Sequence, residues 1–123
     1  MPKKVMIVDD EEDIRISVRQ ILEISGFEVI PAESGTDCLH KLEHTLPDLV
    51  ILDIMMPGMN GWDVAAKIKQ NPQWQRIPIV FLTAKGDEMS MGMGGLASEA
   101  YIVKPFDILT LKDSVEKILY KHS

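Results

Sequence analysis

Pro47-Asp48-Leu49-Val50-Ile51-Leu52-Asp53 is the stretch that decides the fold. Four consecutive large apolar residues without polar alternation suit a strand buried on both faces, as in a parallel sheet covered by helices on each side. The run is short for a buried helix, and a proline before it and an acid after it mark its ends. It is predicted to be the central strand. Parallel neighbours are joined by crossovers, usually helical, so helices are expected on either side of it in sequence.

Toward the N-terminus that expectation is met twice. Lys4 to Val8 is a short apolar run that stops at Asp9-Asp10, and Ile14, Val18, Ile21 and Leu22 then recur at helical spacing. Ser25-Gly26 supplies a helix stop, Phe27 to Ile30 is a second β-branched run, and Ser34 can cap a helix carrying Cys38, Leu39 and Leu42 on one side. Toward the C-terminus, the turn Pro57-Gly58-Met59-Asn60-Gly61 leads into a helix marked by Val64, Ala65 and Ile68 that ends before Asn71-Pro72. Ile77 to Thr83 reads as a strand, with Pro78 tolerated only near its start. Tyr101 to Val103 is a short fifth strand, and a last helix from about Asp107 places Leu111, Val115, Ile118 and Leu119 on one face. Between Lys85 and Ala100, four glycines and three methionines predict a weak or partly formed helix, each interior glycine costing about 1 kcal/mol relative to alanine.

Strands alternating with helices through short links predict an α/β, doubly wound five-stranded parallel sheet with five helices. The flavodoxin-like order 2-1-3-4-5 is taken from known folds of this alternation; it makes strands 1 and 3 neighbours and places the ligand site at their carboxyl ends. A length of 123 residues suits one domain over 1–123. Hydrophobic residues at 46% and charged residues at 26% are a globular composition. The net charge of −6 and pI near 5.0 argue against unaided binding to nucleic acid or to an anionic membrane. No secretory apolar segment or membrane-length run is present, and the single Cys38 has no partner for an internal disulfide. The expected location is the cytoplasm.

Asp9 and Asp10 end strand 1 and Asp53 ends strand 3, so the predicted topology crowds three carboxylates at one sheet edge. Close like charges repel and raise one another's pKa unless a cation sits among them. Oxygen ligands suit a hard divalent ion, Mg²⁺ or Mn²⁺. Thr83, with a hydroxyl, and Lys104, with a mobile ammonium, end the next two strands. Carboxylates, hydroxyl and lysine describe a phosphoryl site in which Asp53 is the nucleophile. Taken singly, Asp9 and Asp10 could be helix caps and Asp53 a turn residue; Glu11, Glu12 and Asp13 are read as capping acids only.

Val8-Asp9-Asp10-Glu11, Asp53 to Gly61, Leu82-Thr83-Ala84 and Lys104-Pro105-Phe106 follow in order at successive strand ends, and the pattern resembles the response-regulator receiver family over essentially the whole chain. The resemblance implies phosphorylation of Asp53, and metal held by Asp10, Asp53 and the Met55 backbone carbonyl with an outer-sphere role for Asp9. It implies phosphate contacts from Thr83, Ala84 and Lys104, a cis peptide before Pro105, and a switch pair of Thr83 and Tyr101. Met55 and Lys85 stand where receivers tune phosphate loss, and neither side chain can readily orient an attacking water, which implies a long-lived phosphorylated state. Where receivers often carry Gly-Ala-Asp-Asp before the tyrosine, this chain has Ala97-Ser98-Glu99-Ala100.

The resemblance implies a phosphorelay switch that takes its phosphoryl group from a histidine kinase or phosphotransfer protein and turns over no external substrate. Because the last helix runs to the end of the chain, output is expected by association with a downstream protein or a second copy through the surface of the fourth helix, fifth strand and fifth helix, without direct contact to nucleic acid or membrane. Three rivals fit less well. An aspartyl-phosphate phosphatase would carry a second acid where Met55 stands. A flavin module would want hydroxyls and amides where Asp9, Asp10 and Glu11 stand. A constitutive pseudo-receiver would not need the full set of acids, threonine and lysine. His40 and His44 stand four apart but, lacking a third ligand at helical spacing, are read as a solvated face. Trp62 and Trp74 are read as core-edge aromatics and the methionines as gap fillers.

Overall fold

A computed structural model describes residues 2–84 and 100–121. The elements run β1 (Lys4–Val8), α1 (Glu12–Ile24), β2 (Glu28–Ala32), α2 (Gly35–Leu42), β3 (Leu49–Asp53), α3 (Gly61–Gln70), β4 (Ile79–Ala84), β5 (Ala100–Lys104) and α4 (Ile108–Lys121). All strands pair in parallel in the order β2-β1-β3-β4-β5. Four helices stand among the described residues where five were expected. The predicted weak helix falls on 85–99, outside the described residues, and α4 is the helix expected in fifth place.

The apolar run of β3 is buried at every position because both faces of the sheet are covered. On one face Met6, Val8, Val50, Leu52 and Phe81 pack with Cys38, Leu42, Val64 and Ile68 of α2 and α3. On the other, Val5, Ile7, Leu49, Ile51 and Leu82 pack with Val18 and Leu22 of α1 and Leu111 and Val115 of α4. The two sets alternate along each strand, as the period-2 pleat requires. Trp62 and Trp74 are partly buried against the first cluster, in agreement with the reading as core-edge aromatics. Cys38 is buried and its thiol is pushed up to about 12, chiefly by that burial, so it stays a neutral hydrophobe.

Helix starts follow the capping residues. Ser34 Oγ accepts from the Asp37 N–H (3.0 Å), and Asn60 Oδ1 accepts from the Asp63 N–H (2.9 Å). Asp107 Oδ1 accepts from the Leu109 N–H at 2.8 Å just ahead of α4. Two boundaries differ from expectation. β2 continues through Pro31 to Ala32, tolerated because β2 is an edge strand. Pro78 lies outside β4, where its carbonyl accepts from the Val50 N–H at 3.0 Å.

The turn after β3 folds back closely onto the strand it leaves. Gly58 has φ +76°, and the Gly61 N–H donates to the Ile54 carbonyl at 2.8 Å. A Cβ on Gly61 would stand 2.5 Å from the Asp53 carbonyl oxygen and 2.7 Å from Ile54 Cα, both backbone atoms that cannot swing aside. Gly61→Ala should therefore lower stability by about 1–3 kcal/mol, the usual cost of overpacking. A urea midpoint equal to that of the wild type would contradict this close approach.

Candidate functional site

Winding order creates the site. β1 leads through α1 outward to β2, whereas the chain from β2 returns across β1 to β3, with α1 on one face of the sheet and α2 and α3 on the other. The loops after β1 and β3 therefore part in opposite directions and leave a crevice at the strand ends. Asp9, Asp10 and Asp53 meet there, each offering a carboxylate oxygen, all within 4.8 Å of one another. Asp9 and Asp53 are buried and Asp10 is exposed.

Lys104, at the end of β5, reaches across β4 into this cluster. Its Nζ lies 2.9 Å from Asp9 Oδ2, 3.4 Å from Asp53 Oδ2 and 3.7 Å from Glu11 Oε1. The following Lys104–Pro105 peptide is cis. Burial works against the Lys104 charge, but the contact with Asp9 and the charges of Asp9, Asp53 and Glu11 outweigh it and hold the ammonium above the usual lysine value. Burial and then the charge of Asp9 push the Asp53 carboxyl up to about 6, while Lys104 and the Met55 N–H, which donates to Asp53 Oδ1 at 3.3 Å, pull the other way. Among the described residues one cation, Lys104, faces these acids and does not balance them.

The donor set fits a hard divalent ion. Every candidate ligand is oxygen, and Asp9 Oδ1 is already used by the Glu11 N–H at 2.9 Å. Asp9 Oδ2 is buried, and among the described residues the positive charge facing it is the Lys104 ammonium at 2.9 Å, which Asp53 and Glu11 share. A buried anionic oxygen left in that state calls for further positive charge.

The remaining residues singled out from the sequence sit around this centre. Thr83 is buried at the end of β4, one residue beyond Leu82, the register partner of Asp53. Its hydroxyl donates to the Ala84 carbonyl at 3.1 Å and not to the carboxylates. Tyr101 is 36% exposed and its ring stacks on Phe81, centroids 5.7 Å apart. The pairings Phe81–Tyr101 and Thr83–Val103 put Thr83 and Tyr101 on one face of adjacent strands, offset by one pleat. Ala84 and the Met55 side chain are exposed.

Two contributors were not legible as such. Glu11, read as a capping acid, makes no side-chain cap to α1 and faces Lys104 instead. Arg15 donates from Nη1 to the Asp9 carbonyl at 2.7 Å and so pins the loop that carries the acids. Neither has a spacing signal, because the contact depends on how the start of α1 leans over the sheet. Beside Lys104 a cleft of about 460 Å³ is lined by Glu11, Ile14, Ser17, Pro105, Phe106 and Ile108.

Comparison with known proteins agrees with this geometry. Residues 5–116 match the family described as the response regulator receiver domain. The chain is 40% identical over 121 residues to the phosphate regulon transcriptional regulatory protein PhoB of Rhizobium meliloti, covering 97% of this chain and 53% of that protein. It is 35% identical over 122 residues to the polar-differentiation response regulator DivK of Brucella anthropi, covering 97% of this chain and 98% of that one. The chemotaxis response regulator CheY4 of Vibrio cholerae superposes with a TM-score of 0.89 at 29% identity, covering 96% of this chain and 99% of that chain. The chain thus spans about half the length of PhoB and nearly all of DivK. With the match running through most of the sequence and the acids, threonine and lysine at the expected strand ends, the chain belongs to the response regulator receiver domain family of two-component signalling.

Proposed function

We propose that residues 1–123 act as one phosphoacceptor unit in which Asp53 is the nucleophile. The observation that carries this is the buried Asp53 carboxylate beside Asp9 and Lys104 at the carboxyl edge of the sheet. An oxygen of Asp53 forms a bond to phosphorus while the bond from phosphorus to the donor's imidazole nitrogen breaks. The electron pair stays on that nitrogen, giving a neutral imidazole when the second ring nitrogen carries a proton. Asp53 then carries the phosphoryl group as an acyl phosphate.

Lys104 is within reach of Asp53 and supplies positive charge to the equatorial oxygens as the transfer proceeds. Mg²⁺ or Mn²⁺, held by Asp10, Asp53 and the Met55 carbonyl with Asp9 behind them, would neutralise charge on the same oxygens. Thr83 leaves the Ala84 carbonyl to donate to the phosphoryl group, and Ala84 contributes its N–H. The Tyr101 ring turns into the space that Thr83 gives up. The cis Lys104–Pro105 segment carries the lysine at the start of the β5–α4 turn.

The phosphodonor is a histidine kinase or phosphotransfer protein. The apolar lining of the cleft beside Lys104, Ile14, Phe106 and Ile108, supports docking there, because the donor imidazole must come within bonding distance of Asp53. The signal leaves through the surface of β5 and α4. Tyr101, Val103 and Leu109 are exposed apolar residues on its described part and suit a downstream protein or a second copy. PhoB is named a transcriptional regulatory protein, so a longer relative of this chain could carry its output in a further domain; this unit itself, with a net charge of −6, favours basic partners over nucleic acid. No helix among the described residues is long and apolar enough to cross a membrane, and we place the unit in the cytoplasm.

Incubation with Mg²⁺ and acetyl phosphate should add one phosphoryl group by intact mass. Asp53→Asn should abolish it, Asp10→Ala should weaken Mg²⁺ binding, and Lys104→Ala should slow labelling at least tenfold, about 1.4 kcal/mol of transition-state charge stabilisation. Labelling unaffected by Asp53→Asn would remove the nucleophile assignment.

The raised Asp53 carboxyl has a further consequence in the metal-free protein. The folded state holds this proton more tightly than the unfolded state, so the associated stability is complete below the unfolded value of 3.8 and is lost as pH rises to about 6. Asp53→Asn should therefore gain stability over the wild type as pH rises through that window, by up to about 3 kcal/mol. Denaturation of both proteins at pH 4 and pH 7 measures it, and a difference that shrinks with pH would contradict the raised value. The rate of labelling at low metal should rise over the same window, since only the carboxylate attacks.

A further inference from the structure

His40 and His44 were read from the sequence as a solvated pair without a third ligand, and the structure supplies that ligand. His40, Glu43 and His44 are all exposed, and one donor atom from each lies within 4.8 Å of the others. The backbone holds them on one side of the chain. α2 ends at Leu42, but Glu43 keeps helical dihedrals (φ −69°, ψ −21°), the Glu43 N–H donates to the His40 carbonyl at 3.2 Å, and the Thr45 N–H donates to the Lys41 carbonyl at 3.0 Å. Positions i, i+3 and i+4 of this extra turn therefore share a face. Cys38 and Leu42, buried in the core, fix the opposite side of the helix.

We propose that His40, Glu43 and His44 form a binding site for one divalent transition-metal ion of the zinc class, separate from the acidic site. Two imidazoles and a carboxylate are a ligand set for Zn²⁺, Ni²⁺, Co²⁺ or Cu²⁺, whereas Mg²⁺ prefers oxygen alone. Bonds of about 2.1 Å put tetrahedral donors roughly 3.4 Å apart, and atoms already within 4.8 Å of one another reach that spacing with a closure of at most about 1.4 Å. Exposed side chains can do so by rotation without disturbing packing. The rings already face each other edge to face with centroids 5.2 Å apart. Lys41, the cation within this stretch, is drawn elsewhere by Asp37 at 3.2 Å and by the Pro31 carbonyl.

The position separates this site from the phosphoryl chemistry. α2 begins just past the carboxyl end of β2 and runs back along the sheet, about 12 Å for its eight residues, to the opposite edge. An ion there clamps the last turn of α2 to the turn after it, and because it binds the folded form it raises stability with the logarithm of the ion concentration once that exceeds the Kd. Three protein ligands leave the remaining coordination positions to water.

Calorimetric titration of the protein with Zn²⁺ at pH 7.5 in millimolar Mg²⁺ tests this. The expected result is one Zn²⁺ per chain, weakened at least tenfold by His40→Ala and by His44→Ala and several-fold by Glu43→Gln. Asp53→Asn should bind as the wild type, and so should His122→Ala, which removes the third histidine of the sequence. Zn²⁺ should also raise the melting temperature of the wild type and not that of His44→Ala, which separates lost binding from a damaged fold. No binding, affinity unchanged in either histidine variant or in Glu43→Gln, or affinity lost in Asp53→Asn or His122→Ala would overturn the site.

Discussion

Two carboxylates, Asp9 and Asp53, are buried at the end of the sheet against one ammonium among the described residues, Lys104. Burying like charges together is unfavourable, and the ion pairs offset it only in part, as the raised Asp53 carboxyl registers. A protein that needed only a stable core would not keep this arrangement. It is the arrangement expected of a site that binds positive charge, which relieves it.

The rest of the fold supports that unfavourable edge. β3 is buried along its whole length, and two separate apolar clusters cover the faces of the sheet, so the strand ends are held rigidly while their acids remain crowded. Fixed backbone contacts refine the position. Arg15 holds the Asp9 carbonyl, the Glu11 N–H orients the Asp9 side chain, and the close turn at Gly61 sets the path of the chain just past Asp53. Thr83 and Tyr101 share a face of neighbouring strands beside the one that ends in Asp53.

Membership in the receiver family joins this geometry to signalling, and the relatives show two ways of using such a unit. DivK is matched over nearly its whole length, whereas PhoB is about twice as long as the matched region. A matching unit therefore occurs in proteins of different extent.

What the sequence by itself determined was the alternation of elements and the identity of the acids, threonine and lysine at the strand ends. Continuous apolar runs, glycine and proline stops, and capping by Ser34, Asn60 and Asp107 are local properties that hold wherever the chain goes. Three-dimensional structure alone decided which side chains meet. Glu11 turned from cap to ion-pair partner because α1 leans over Lys104, and Arg15 found the Asp9 carbonyl for the same reason. Glu43 joined His40 and His44 because the chain keeps its helical twist past the end of α2, where periodicity of apolar residues no longer reports it. The strand order was likewise beyond local pattern, since alternation permits several windings and only packing of the crossover helices selects one.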